Sequence, residues 1–86
     1  MSYQVELLPS AYRDLKRLAK SIQVRIAVRL RELAADPRPA GVAKLTDKEN
    51  LWRVRVGEYR IVYEIDDGRA IVTVLRVAHR KDVYRG

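Results

Sequence analysis

The segment from Leu51 to Glu64 reads Leu-Trp-Arg-Val-Arg-Val-Gly-Glu-Tyr-Arg-Ile-Val-Tyr-Glu and restricts the fold more than any other part of the chain. Trp52, Val54 and Val56 alternate with Arg53 and Arg55, the period of a strand with one apolar face. Gly57-Glu58 follows, a two-residue loop with glycine first, as a type II′ hairpin turn requires. Tyr59 to Ile65 again has a strand's composition. Pairing across that loop sets Val56 opposite Tyr59, Arg55 opposite Arg60 and Arg53 opposite Val62, and opposed residues share a face. One face then carries Trp52, Val54, Val56, Tyr59, Ile61, Tyr63 and Ile65, and the other Arg53, Arg55 and Arg60. Guanidinium groups gathered on one open face repel one another, so an anionic partner is expected there.

The rest of the chain must cover the apolar face. Tyr3 to Leu8 alternates as a short first strand. Pro9 suits a first helical turn, with Ser10 as an alternative cap, and Ala11, Leu15, Leu18 and Ala19 make one helical stripe. Ser21 is expected to cap a second helix with the stripe Ile22, Ile26, Leu30, Leu33 and Ala34, stopped at Asp36-Pro37. A short strand is expected within Val42 to Leu45. After the hairpin, Asp66-Asp67-Gly68 precedes a strongly apolar strand, Ala70 to Val77. A three-residue loop ending in Gly68 keeps Arg76 off the helix-covered face, where an unpaired arginine is costly. That choice turns Ile71, Leu75 and Val77 toward the helices. It places Arg76 and Arg80 with Arg53, Arg55 and Arg60, over a floor of Val62, Val72 and Val74.

Residues 1–86 are thus read as one domain, since a chain this short supports one core. The class is α+β, a twisted antiparallel sheet of four to five strands packed on a two-helix hairpin. Cysteine is absent, and the single histidine and scattered acids form no recognisable metal-ligand spacing, so no metal or cofactor is expected. No apolar run suits a bilayer span and the N-terminus is not a signal peptide, which makes the cytoplasm the expected location. Eighteen Lys and Arg against eleven Asp and Glu give a net charge of +7. With His79 and Tyr84 beside Arg80, such a face suits RNA, whose phosphates pair with arginine and whose unpaired bases stack.

Several segments together resemble the RelE/ParE superfamily of bacterial and archaeal toxins. They are Leu7 and Pro9 before Asp14-Leu15, Lys44-Leu45, Leu51-Trp52-Arg53-Val54-Arg55, Gly57 to Tyr63, and Val77 to Arg85. The resemblance covers nearly the whole chain and implies a RelE-like toxin of a type II toxin–antitoxin system. It implies a ribosome-dependent endoribonuclease that cuts mRNA in the A site by metal-free attack of the 2′-oxygen on the adjacent phosphate. It also implies a cognate RelB-like antitoxin as partner, besides the ribosome and mRNA. By resemblance Arg60 stabilises the transition state, Arg80 stabilises charge or assists the leaving group, and Tyr84 stacks on or orients the substrate. Arg53 and Arg55 stand where the family's motif has two lysines. Lys44, Arg76, Lys81 and Arg85 are expected to contact RNA. Arginine stays charged in proteins, so Arg53 and Arg55 can hold phosphate but cannot take the 2′-proton as a lysine could. Tyr84, His79 and Glu64 remain open as the base. The alternatives are a ParE-like inhibitor of DNA gyrase and a non-catalytic RNA- or ribosome-binding module.

Overall fold

In the computed structural model, residues 2–45, 50–79 and 81 are described. The order of elements is β1 (Gln4–Leu7), α1 (Pro9–Lys16), α2 (Lys20–Ala35), β2 (Ala43–Lys44), β3 (Leu51–Val56), β4 (Tyr59–Asp66) and β5 (Ile71–His79). The strands form one five-stranded sheet in the order β1-β5-β4-β3-β2, and the helices cover one of its faces. β2, β3, β4 and β5 pair antiparallel, whereas β1 lies parallel to β5, so the sheet is mixed. A parallel neighbour needs a long crossover, and the helical hairpin begins it. The direction of β1 against β5 is decided only when the meander returns to the starting edge, which no local pattern encodes.

The central hairpin has the expected register: Val56 pairs with Tyr59, Arg55 with Arg60, Val54 with Ile61, Arg53 with Val62 and Trp52 with Tyr63. Its apolar face meets the helices in a single core. Ala11, Ile26, Leu30 and Leu33 pack there against Val54, Val56, Ile61, Tyr63 and Ile65 of the hairpin and Val72, Val74 and Val77 of β5. Side chains of this size each contribute roughly 1.5–3 kcal/mol when fully buried. Gly57 has φ +60 while Glu58 stays out of the positive-φ region, consistent with the II′ turn. A Cβ on Gly57 would also lie 3.3 Å from the Arg25 guanidinium. Gly57→Ala is therefore expected to cost about 1–2 kcal/mol, read as a lower urea midpoint at unchanged slope.

Neither expected cap forms. α1 starts at Pro9 after Leu8, and the Ser10 hydroxyl instead donates to the carbonyl of Leu75 at 2.9 Å. α2 starts at Lys20 after Ala19, one residue before Ser21. It ends with Asp36 extended ahead of Pro37, as the proline demands.

The β4–β5 connection corrects the expected loop. Asp66 pairs with Ile71, so four residues intervene, and the left-handed position is Ala70 at φ 56. The change of parity comes further on, in a bulge: Tyr63 pairs with Val74 and Val62 with Arg76, leaving Leu75 as the extra residue. Val72 and Val74 are consequently fully buried among the core residues and do not floor the arginine face. Ile71 lies on the open face with Asp66, while Val77 faces the core as expected. The bulge satisfies two demands that the loop alone could not: it buries both valines and still keeps Arg76 out of the core.

Polar groups close the far end of the sheet. Arg38 donates to both carboxylate oxygens of Asp67, at 3.2 and 2.9 Å, and the Tyr3 hydroxyl donates to the same carboxylate. The Arg38 guanidinium also lies 5.2 Å from the Trp52 ring centroid. Tyr63 is fully buried and donates its hydroxyl to the Pro37 carbonyl at 2.7 Å. Burial, chiefly, pushes its pKa from the ordinary 10.0 up to about 12. Between those values the unfolded phenol has lost its proton and the folded one has not, so the folded state binds more protons and stability falls as pH rises. The expected result is a loss of stability from pH 10.0 to about pH 12 that is smaller in Tyr63→Phe, measured as urea midpoints of both proteins across that range.

Candidate nucleic-acid interface

Arg53 and Arg55 on β3 and Arg60 on β4 come together on the open face, where they line a cavity of about 140 Å³ closed by Gly41 and Ala43. Each position follows from the ladder. Ala43 pairs with Arg53, and Arg60 lies between Arg55 on one side and the small Ala78 on the other, which leaves room for a guanidinium. Gly41, at φ +88, turns the chain into β2 along the cavity wall. Arg55 is steadied by its Nε, which donates to the Gly57 carbonyl at 3.0 Å. Arg60 differs: its Nη1 is buried and has no hydrogen-bond partner among the described residues. A buried charged donor without an acceptor costs free energy, and an incoming oxyanion would recover it. Three fixed positive charges around a small cavity can hold a phosphate and stabilise charge that develops on it.

Other expected members lie elsewhere. Arg76 pairs with Val62 in the register, yet its guanidinium turns across the outer edge of β5 to Asp14 on α1, with Nε 2.8 Å from Oδ2. The same carboxylate accepts the Val77 N–H at 3.0 Å. His79 pairs with Tyr59, on the face of Val56, and its ring meets the Tyr59 ring edge to face with centroids 5.6 Å apart. Arg76 and His79 thus share a separate cavity of about 300 Å³ with Asp14, Arg17 and Tyr59. Arg76 keeps the expected register opposite Val62, but the expectation that its guanidinium joins the arginine pocket is corrected, and His79, whose face the sequence left open, lies on the helical side. The half-turn that puts Tyr59 under the helices carries its partner with it. Lys44 pairs with Trp52 and holds its Nζ 5.8 Å from that ring, so it too lies on the other face. Lys81 is exposed and its backbone N–H donates to His79 Nδ1 at 3.3 Å. Glu64 shares the open face but stands four residues along β4 from Arg60, about 13 Å at 3.3 Å per residue. Arg80, Tyr84 and Arg85 lie outside the described residues.

Two contributors had no role assigned to them from the sequence. Asp14 is the one acid in α1, among Arg13, Lys16 and the following Arg17, and that isolation is the available signal. Arg25 beside Gly57 could not be read from spacing, because the contact joins α2 to a turn some thirty residues on.

Comparison with known proteins agrees with this architecture. The family model described as ParE toxin of type II toxin-antitoxin system, parDE, matches residues 5–84. Toxin RelG of Mycobacterium tuberculosis is 34% identical over 86 residues, covering 99% of this chain and 99% of that protein. Among solved structures, the chain matches the toxin–antitoxin complex RelBE2 of Mycobacterium tuberculosis with a TM-score of 0.78 and 31% identity, over 93% of this chain and 100% of that one. It matches the archaeal RelE–RelB complex of Pyrococcus horikoshii with a TM-score of 0.83 and 26% identity, over 100% of both chains. A family model spanning most of the chain, a relative matched end to end and the shared RelE fold lead to one conclusion: the chain belongs to the RelE/ParE superfamily of toxins of type II toxin–antitoxin systems.

Proposed function

We propose that this toxin is a ribosome-dependent endoribonuclease that cuts mRNA in the A site. The observation that carries the reading is the buried, unpartnered Nη1 of Arg60 in a cavity walled by Arg53 and Arg55. In the proposed reaction the 2′-oxygen bonds to the adjacent phosphorus and the bond from phosphorus to the 5′-oxygen breaks. The 2′-proton passes to a base and the departing 5′-oxygen takes a proton. The products are a 2′,3′-cyclic phosphate and a 5′-hydroxyl. Charge accumulates on the non-bridging oxygens in the transition state, and guanidinium groups already in place stabilise it without reorganising. Arg60 is assigned that role, with Arg53 and Arg55 holding the phosphate. Arg80 is assigned to the leaving group. Tyr84 is assigned to the base, since His79 lies on the other face and Glu64 stands well along the strand. An antitoxin of the RelB type, the partner named in the RelBE2 and RelE–RelB structures, is proposed to neutralise the toxin. Action on the ribosome places it in the cytoplasm, and among the described residues no helix is long and apolar enough to cross a membrane.

The matching family model favours a second reading, a ParE-like inhibitor of DNA gyrase that cleaves nothing. Purified toxin added to ribosomes programmed with a defined mRNA separates the two. Cleaved message ending in a cyclic phosphate supports the nuclease. Inhibited gyrase supercoiling with intact message assigns the toxin to the other branch.

A further inference from the structure

A third cavity, of about 360 Å³, lies between α2 and the β3–β4 turn. Val24, Val28 and Val56 form its floor, and Arg25, Arg29 and Arg55 stand around it. Val24 and Val28 are one helical turn apart and are 63% and 42% exposed. Arg55 lines this cavity and the arginine pocket alike, at the outer edge of β3. That edge is open there because β2 pairs only with Trp52 and Arg53. Arg25 lies against the turn, its guanidinium 3.3 Å from the place of a Gly57 Cβ, and no carboxylate among the described residues pairs with it. The Nε of Arg29 is buried and without a partner among the described residues, although its Nη1 meets Glu32 at 2.9 Å. Three guanidiniums therefore face a single carboxylate.

We propose that this cleft is a second RNA subsite. It takes a nucleotide further along the strand held in the arginine pocket, with its phosphate between Arg25 and Arg55 and its base against the valine floor. The inference rests on the reading of the arginine pocket as an RNA site. The volume suits one nucleotide. A stable protein partner would bury about 800 Å² on this side, far more than two exposed valines supply. A lining arginine shared with the phosphate pocket and an excess of arginine favour the same polymer. The strand would cross from the open face to the helical face over the one part of β3 that no strand covers.

The probe is a fluorescent 2′-O-methyl decaribonucleotide, which cannot be cut because the attacking hydroxyl is blocked. Its affinity is measured by anisotropy across a salt series. Arg25→Gln is expected to weaken binding about fivefold near 0.1 M salt and to reduce the slope of log K against log salt by about 0.7, one phosphate contact on a single strand. Arg25→Lys should retain the slope, which a purely structural role for the guanidinium over Gly57 would not explain. Arg13→Gln, on the exposed side of α1, should leave it unchanged. A wild-type slope in Arg25→Gln overturns the subsite alone, provided the wild type cuts programmed mRNA. A wild-type protein with no salt dependence overturns the RNA reading with it. If Arg25→Gln weakens binding only to ribosomes without message, the ligand is ribosomal RNA and continuity with the bound strand is overturned. If it weakens only binding of a RelB antitoxin, the cleft belongs to a protein.

Discussion

Arg60→Ala should lower cleavage of mRNA on programmed ribosomes by about 10²–10³-fold, the usual effect of removing one preorganised donor from a developing oxyanion. The fold should survive. Arg60 faces Arg55 across the hairpin, and like charges directly opposed are destabilising. Its Nη1 also has no partner to lose among the described residues. Thermal unfolding of Arg60→Ala should therefore occur at the wild-type temperature or slightly above it. Arg60→Lys keeps a charge but not the planar fork, and should recover only part of the rate. The measurement is the single-turnover rate on ribosomes holding one message, beside a thermal melt of each protein. An unchanged rate in Arg60→Ala would remove this pocket from the chemistry. A lost rate with a lost fold would be ruled out by the melts, so the two effects cannot be confused.

Asp14→Ala should destabilise the protein by about 2–4 kcal/mol, for a reason that belongs to the fold and not to the pocket. β1 pairs with β5 only as far as Leu7 and Val74, so the outer edge of β5 beyond that point needs other partners. Leu8 and α1 supply them: the Leu8 N–H donates to the Val74 carbonyl, the Ser10 hydroxyl to the Leu75 carbonyl, and Asp14 accepts the Val77 N–H. A backbone hydrogen bond to a largely buried carboxylate contributes about 1.5–3 kcal/mol. The ion pair with the half-exposed Arg76 adds at most about 1 kcal/mol. For a domain of this size that corresponds to a melting temperature lower by on the order of 10–20 °C. Asp14→Asn keeps an acceptor for Val77 and should lose only the smaller, ionic part. Equal losses in both variants would mean that the ion pair, not the backbone contact, holds α1 to the sheet.

Chemistry so close to the sheet raises the question of how much of it local pattern can carry. The hairpin register was readable because three local facts agree: alternation in β3, glycine at the first turn position, and strand composition in β4. Agreement at short range leaves one register, and that register assembles Arg53, Arg55 and Arg60. The stripe of α2 was equally readable, since Ile26, Leu30 and Leu33 recur at the helical period and are buried, whereas that of α1 was only half right, because the helix ends at Lys16 and leaves Leu18 and Ala19 beyond it. The caps were not. Ser10 and Ser21 have the right chemistry, but Ser10 found a better acceptor on β5, some sixty-five residues away. The β4–β5 loop failed for a related reason. An odd residue between two strands can be absorbed in the turn or in a bulge, and only the packing of Val72 and Val74 under the helices selects the bulge.

The amino-acid sequence alone determined the hairpin, the apolar face of α2 and the arginine cluster, because each depends on residues a few positions apart. Tertiary structure decided the rest. It made β1 parallel to β5, moved the parity change to Leu75, drew Arg76 to Asp14 and carried His79 to the helical face with Tyr59. Each of those outcomes joins segments distant in the chain, where the competition is between alternative partners in space. Side-chain type sets what a residue can bind. Packing sets which partner is within reach, and for this toxin that is what separates the arginines of the pocket from those that only hold the fold.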